Sequence, residues 1–248
     1  RNSRRDSAAR NCAAMGPKKK ESTANKAKPA QKNATAEVSK WDGPTNGVVF
    51  LLAHGAGGKS DSPSMIRYRN ILLSFGTVFQ FDYPGNRLDS YTDLHIDAVR
   101  RSLDMCKGSD TLLLAGNSMG CRGSVHAINA LSDLANPYSQ LFPRIGGLVC
   151  FSYPLVSLPH PPVSDEQRTG RVPPLLSLPA GFPILFCSGT RDPFLEQDIG
   201  RLRSVASKMA ARVELEVLEG GDHGLKVSSS AAKQAVAEAA LRDAVGRF

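Results

Sequence analysis

Six apolar runs, each no longer than a strand, constrain this chain more than any other feature. They are 47–53 (GVVFLLA), 77–82 (TVFQFD), 111–115 (TLLLA), 146–152 (GGLVCFS), 183–188 (PILFCS) and 213–218 (VELEVL). Short, nearly continuous runs of Val, Leu, Ile and Phe suit strands that are covered on both faces rather than one. Between them the period changes. In 194–209, Leu195, Ile199, Leu202, Val205 and Met209 recur at three- and four-residue spacing. In 226–248, Val227, Ala231, Ala235, Ala239, Leu241 and Val245 do the same, so both stretches are predicted helices. Strand, helix, strand repeated about six times gives an α/β fold: a mainly parallel sheet of about six strands with helices on both faces. No apolar run approaches the ~20 residues that span a bilayer, which excludes a helical membrane protein.

The net charge of +8 is local. Residues 1–40 hold 11 Lys/Arg against 3 Asp/Glu, and the rest of the chain sums to zero. That segment has no aromatic residue and only Val38 as a branched aliphatic, too little apolar surface to offset the entropy of ordering. Residues 1–45 are therefore expected to be a disordered basic tail, and 46–248 the folded domain. The tail reads first as a solvated leader. Its Lys18, Lys19 and Lys20 also suit protein or nucleic-acid contact or a nuclear address, and its Arg, Ser and Ala content suits an organelle transit peptide. Met15 is a candidate start residue, but Lys20 stands where a myristoylation signal needs Ser or Thr. Cys12, Cys106, Cys121, Cys150 and Cys187 are odd in number and lack metal-ligand spacing, so neither a disulfide scaffold nor a zinc module is expected. An intracellular location fits that cysteine usage, while oligomeric state leaves no mark in the sequence.

Ligands of open parallel sheets bind beyond the carboxyl ends of the strands, so the residues that follow each run matter most. After 111–115 comes Gly116-Asn117-Ser118-Met119-Gly120, a G-x-S-x-G between a predicted strand and a helix running through Val125 and Ile128. Glycines there permit the sharp turn that exposes a serine hydroxyl, and the helix N-terminus favours developing negative charge. After 183–188 comes Gly189-Thr190-Arg191-Asp192; after 213–218 comes Gly220-Gly221-Asp222-His223-Gly224. Ser118, Asp192 and His223 thus follow in the chain order of a Ser…Asp…His hydrolase triad, each at the end of a different strand. Serine at its free pKa is a weak nucleophile and needs a base, which His223 supplies in this reading, with Asp192 holding the imidazole. Asp222, the rival acid, adjoins His223 in sequence and is poorly placed to reach its ring.

An oxyanion needs two preorganised N–H donors. Met119, the residue after the nucleophile, is one candidate. Ala56, in the glycine-rich His54-Gly55-Ala56-Gly57-Gly58 after the first run, is the other. The substrate-binding candidates are His54, Gly55, Asn117 and Arg122. His54 reads rather as ordering the loop than as a base, and Arg122 either binds an acidic substrate group or braces the elbow. Cys121 reads as a small buried residue. The same loop nearly matches a phosphate-binding P-loop, with Ala53 in place of its first glycine, Lys59 and Ser60 at its end, and Asp82 as a mimic of the magnesium partner. A nucleotide reading leaves Ser118, Asp192 and His223 unexplained, and Asp61-Ser62-Pro63 points to a turn continuing past Lys59. Residues 154–183 carry eight prolines, which forbid a long helix and predict an irregular loop, either a lid or binding loop or mobile surface.

HGAGG at 54–58, GNSMGCR at 116–122, GLVCFSYPL at 147–155, and the acid and histidine of GTRD and GGDHG together resemble one hydrolase-like family. This is the family of the testis-expressed-protein-thirty and NSL-complex-subunit-three proteins, related to the dienelactone hydrolases, and the resemblance spans about residues 46–248. It implies a compact α/β-hydrolase core without a large cap domain, with Ser118, Asp192 and His223 in the triad positions. It departs from the family in the basic tail and in a longer 157–182 segment. One branch of the family is associated with a chromatin-modifying complex, which keeps a non-catalytic scaffold as the alternative to an enzyme. The expected activity is a serine hydrolase acting on a small acyl substrate such as an ester or thioester, with no metal or organic cofactor.

Overall fold

The computed structural model describes residues 35–84, 92–157, 170–227 and 230–248. A compact unit covers Asn33–Phe248. Its described strands are β1 (Val38–Trp41), β2 (Val48–Ala53), β3 (Thr77–Phe81), β4 (Thr111–Asn117), β5 (Ile145–Phe151), β6 (Pro183–Gly189) and β7 (Arg212–Leu218). They form one sheet in the order β1-β3-β2-β4-β5-β6-β7. Every neighbouring pair is parallel except β1 with β3.

The six runs read from sequence are β2 to β7, and β4 shows why they are nearly continuous. Leu112 and Leu114 face one apolar layer, while Leu113 and Ala115 face the other. The first layer packs α2 (Thr92–Asp104), α3 (Met119–Ser132) and α5 (Ile199–Ala206) against the sheet. The second packs α1 (Pro63–Leu72) and α6 (Ala231–Arg247). With both faces covered, the central strands need no polar residue for solvent and period-two alternation disappears there, while the half-buried edge strand β7 keeps it with Glu214 and Glu216.

Three expectations need correction. The sheet has a seventh strand, β1, inside the segment assigned to the tail, so the compact unit begins ahead of the expected boundary at residue 46. β1 is held by antiparallel pairing with β3. Burial of Ala36, its N–H donating to Asp97 Oδ2 at 2.9 Å, and the Arg69 guanidinium 4.3 Å from the centre of the Trp41 ring add to that. VSKW is too short and too polar to announce a strand, and only its neighbours make it one. The expected disorder of residues 1–34 lies outside the described residues.

The helix predicted over 194–209 is broken. A 3₁₀ turn at Pro193–Leu195 ends in two left-handed residues, Glu196 (φ 55°) and Gln197 (φ 56°). α5 then starts afresh behind Asp198, whose side chain accepts from Gly200 N at 2.8 Å. Among the described residues of 154–183, finally, the prolines make one short helix, α4 (Pro173–Leu176), with proline in its first turn. Asn129 Nδ2 pins it to α3 by donating to Pro174 O at 2.8 Å. Residues 158–169 of that segment lie outside the described residues.

Candidate active site

Ser118 sits between β4 and α3 in a conformation that side chains avoid, φ 51° and ψ −109°. Non-glycine residues hold such angles only where the surroundings over-determine them. Here the flanking glycines do that. A Cβ on Gly120 would lie 2.1 Å from Ala53 O, and one on Gly116 would lie 2.4 Å from Cys121 N. The elbow can therefore close against β2 only without those side chains. Ser118 N donates to Phe151 O at 3.1 Å, which anchors the turn to the end of β5.

His223 comes from the loop between β7 and α6, 105 residues away in sequence. Its Nε2 accepts from the Ser118 hydroxyl at 2.8 Å, and its Nδ1–H donates to Asp192 Oδ2 at 2.8 Å. Asp192 is fully buried, and its other oxygen accepts from Phe194 N at 2.8 Å. Two donors on one buried carboxylate fix its rotamer. The Phe194 ring lies 4.2 Å from the imidazole, centre to centre, and closes one side of it. The histidine loop is held from outside by α1: Tyr68 O–H donates to Gly224 O at 2.9 Å, and Arg67 Nη2 donates to the same oxygen. Asp222 is not part of this chain. Its Oδ1 accepts from Gly224 N and Lys226 N, so it braces the turn that carries His223.

The residues expected around this chain divide. Gly55 lies against it, since a Cβ there would be 2.8 Å from Asn117 Oδ1 and 3.3 Å from the Ser118 Cβ. The backbone entering Ala56 thus passes beside the serine. Among the described residues neither the Ala56 nor the Met119 N–H has a hydrogen-bond acceptor. Asn117 is turned to structure as well, its Nδ2 donating to Phe151 O at 3.1 Å.

His54 departs from the substrate-binding expectation. It is buried, its Nε2 accepts from Tyr83 N at 2.9 Å, and its Nδ1–H donates to Gly55 O at 2.8 Å. Both ring nitrogens are spent on backbone, so His54 ties the glycine loop to the end of β3. Lys59 and Ser60 precede α1 instead of opening it, and Asp82 accepts from Ser60 N at 2.7 Å. A P-loop needs that serine at the helix start facing a phosphate, and the arrangement here does not provide it. Cys121 is buried and donates to Gly116 O. Among the described residues no group of three or more His, Cys, Asp or Glu could hold a metal ion.

Three residues that the sequence did not mark approach the same place. Arg171 donates from Nη1 to Val156 O, and its guanidinium lies 5.8 Å from the centre of the Phe194 ring. Tyr153, buried after β5, donates its hydroxyl to Arg171 O at 2.8 Å. Ser152, with φ 60°, is a second strained serine, one residue past β5. A cavity of about 340 Å³ lies beside them, lined by Leu155, Val156, Val172, Asp198, Arg201 and Val205 among others, and its lining includes none of Ser118, Asp192 and His223.

The family described as "Alpha/beta hydrolase domain" matches residues 46–246. The chain belongs to that family. This alpha/beta hydrolase domain matches no curated protein. Among solved structures it is similar to a thermophilic esterase from Thermogutta terrifontis, at 17% identity and TM-score 0.62 over 87% of each chain. It is similar too to a dienelactone hydrolase from Anabaena variabilis, at 13% identity and TM-score 0.61 over 86% of this chain and 92% of that one. An α/β serine hydrolase without lid from Xanthomonas campestris matches at 18% identity and TM-score 0.59, over 86% and 88% of the two chains. At such identities the likeness is one of fold: the hydrolase sheet with its helices on both faces.

Proposed function

We propose that this chain is a serine hydrolase that cleaves a carboxylic ester, thioester or related acyl bond through an acyl-enzyme. The observation that carries the reading is the unbroken hydrogen-bonded chain Ser118–His223–Asp192. In it the Ser118 oxygen attacks the acyl carbon while its proton passes to His223 Nε2. The bond to the leaving group breaks as His223 returns that proton to it. Water then attacks the acyl-enzyme, gives its proton to His223, and releases the acid as Ser118 regains a proton. Asp192 keeps Nδ1 protonated and stabilises the imidazolium between these transfers.

The Met119 and Ala56 N–H groups are the proposed donors to the oxyanion, and the esterase and hydrolase names of the similar structures accord with this chemistry. Within the family, the HGAGG, GNSMGCR and GLVCFSYPL segments favour the branch of the testis-expressed-protein-thirty and NSL-complex-subunit-three proteins. The test is labelling by a neutral fluorophosphonate probe. The wild type is expected to react, and Ser118→Ala and His223→Ala to lose reaction by a factor of about 10⁶. A folded wild type that takes no label overturns the reading and leaves a non-catalytic scaffold in its place.

A further inference from the structure

We infer that the substrate of this site carries an anionic carboxylate, held by Arg122 and Arg171 beside Ser118. The inference rests on the reading of Ser118 as nucleophile and adds the class of substrate. Arg122 lies one helical turn after Ser118, and its N–H donates to Ser118 O at 3.4 Å. Helical side chains lean toward the N-terminus and cover the preceding turn, which for Arg122 is the turn that starts at Ser118. Arg171 reaches the same end of the sheet from the other side. Its guanidinium lies over Phe194, and Phe194 lies on His223. Tyr153 is common to both cations: it bonds to the Arg171 backbone and feels the charge of Arg122 and of Arg171.

Arg122 and Arg171 are both half-buried, and among the described residues neither forms an ion pair with a carboxylate. The acceptor of the Arg171 hydrogen bond, Val156 O, is an uncharged carbonyl and supplies no counter-charge. Burial, and then the like charge of Arg122, push the Arg171 pKa down to about 10, still well above neutrality. Arg171 therefore remains a cation, and no carboxylate among the described residues pairs with it to offset the like charge of Arg122. A desolvated cation without a counter-ion is unfavourable, and a planar carboxylate, which accepts from the guanidinium fork at two oxygens, relieves both the desolvation and the repulsion.

The test compares p-nitrophenyl monoadipate with p-nitrophenyl hexanoate, which differ only in a terminal carboxylate against a methyl, with the uncatalysed rates subtracted. The wild type is expected to prefer the adipate monoester by about tenfold or more in kcat/KM. Arg122→Gln and Arg171→Gln are each expected to lower that preference by about fivefold or more, mainly through KM, and Arg171→Lys to restore part of it. Free adipate is expected to protect wild-type Ser118 from the neutral fluorophosphonate while hexanamide at equal concentration does not, a readout that needs no variant to fold. A wild type that takes the label yet shows no preference for the anionic ester, or is not protected by adipate, overturns the carboxylate site and leaves the serine hydrolase standing. A folded wild type that takes no label removes the hydrolase reading, and the carboxylate inference falls with it.

Discussion

Two histidines, His223 and His95, sit in hydrogen-bonded chains that look alike on paper and differ in every property that matters for chemistry. His223 lies between a hydroxyl and a carboxylate and keeps 23% of its side chain exposed. His95, on α2, lies between two hydroxyls and is fully buried: its Nδ1 accepts from Tyr83 O–H at 2.6 Å, and Ser124 Oγ faces its Nε2 at 3.4 Å. Since the Ser124 hydroxyl donates to Gly120 O, it accepts from His95 Nε2–H, which fixes a neutral tautomer. Burial first, and then the charge of His126, lower the His95 pKa to about 3. An imidazole becomes a working base when an anion faces one nitrogen and a proton donor reachable by substrate faces the other. Given two neutral partners and full burial, the same ring becomes part of the core. Gly123 shows how closely that second chain is built, since a Cβ there would lie 2.3 Å from the Tyr83 oxygen.

The largest effect should come from making the first chain resemble the second. Asp192→Asn keeps the shape but supplies no anion and favours the wrong tautomer; ester hydrolysis is expected to fall by about 10⁴ in kcat, measured on any p-nitrophenyl ester the wild type turns over. The converse change should spare chemistry. His95→Ala leaves a cavity and takes one acceptor from the Tyr83 hydroxyl, so urea unfolding is expected to show a loss of about 3 kcal/mol, with fluorophosphonate labelling of the folded protein retained. If labelling disappears along with the stability, the two chains are not separate.

Acid should act on His95 in a known direction. Its folded pKa lies below its unfolded value of 6.5, so its contribution to stability is complete above that value and is lost as pH falls toward 3. Between pH 7 and pH 5 the wild type is expected to lose about 2 kcal/mol more than His95→Gln, which cannot titrate there, as read by denaturant midpoints at the two pH values. The smallest effect belongs to the support of the His223 loop. Tyr68→Phe removes one of the two donors to Gly224 O, and a fall in Tm of about 2–4 °C is expected, for a loss of about 1 kcal/mol.

Much of this was legible in the sequence, because strands covered on both faces write themselves as apolar runs. The ends of β4, β6 and β7 could then be found, and with them Ser118, Asp192 and His223. β1 was not legible, since its burial comes from β3, Asp97 and Arg69 and not from its own four residues. Nor was the break in 194–209, where the apolar spacing continues through two left-handed residues that Glu196 and Gln197 do not announce. The role of His54 was half visible: its place in the glycine loop is a matter of sequence, but its second partner, Tyr83 N, is 29 residues away.

The sequence by itself determined the periodicities, hence the fold class, and the order of three chemically able residues along the chain. Periodicity is a local property, written in neighbours a few positions apart. Only the tertiary structure decided which residues meet. The parallel order β4-β5-β6-β7 brings the carboxyl ends of separate strands to one edge of the sheet, so that Ser118 and His223 come within hydrogen-bond reach. It also brings Arg171 and Phe194 to that edge, from a proline-rich segment and a 3₁₀ turn with no motif of their own. Sheet order is set by how apolar faces are covered across the whole molecule, and no short window of sequence contains it.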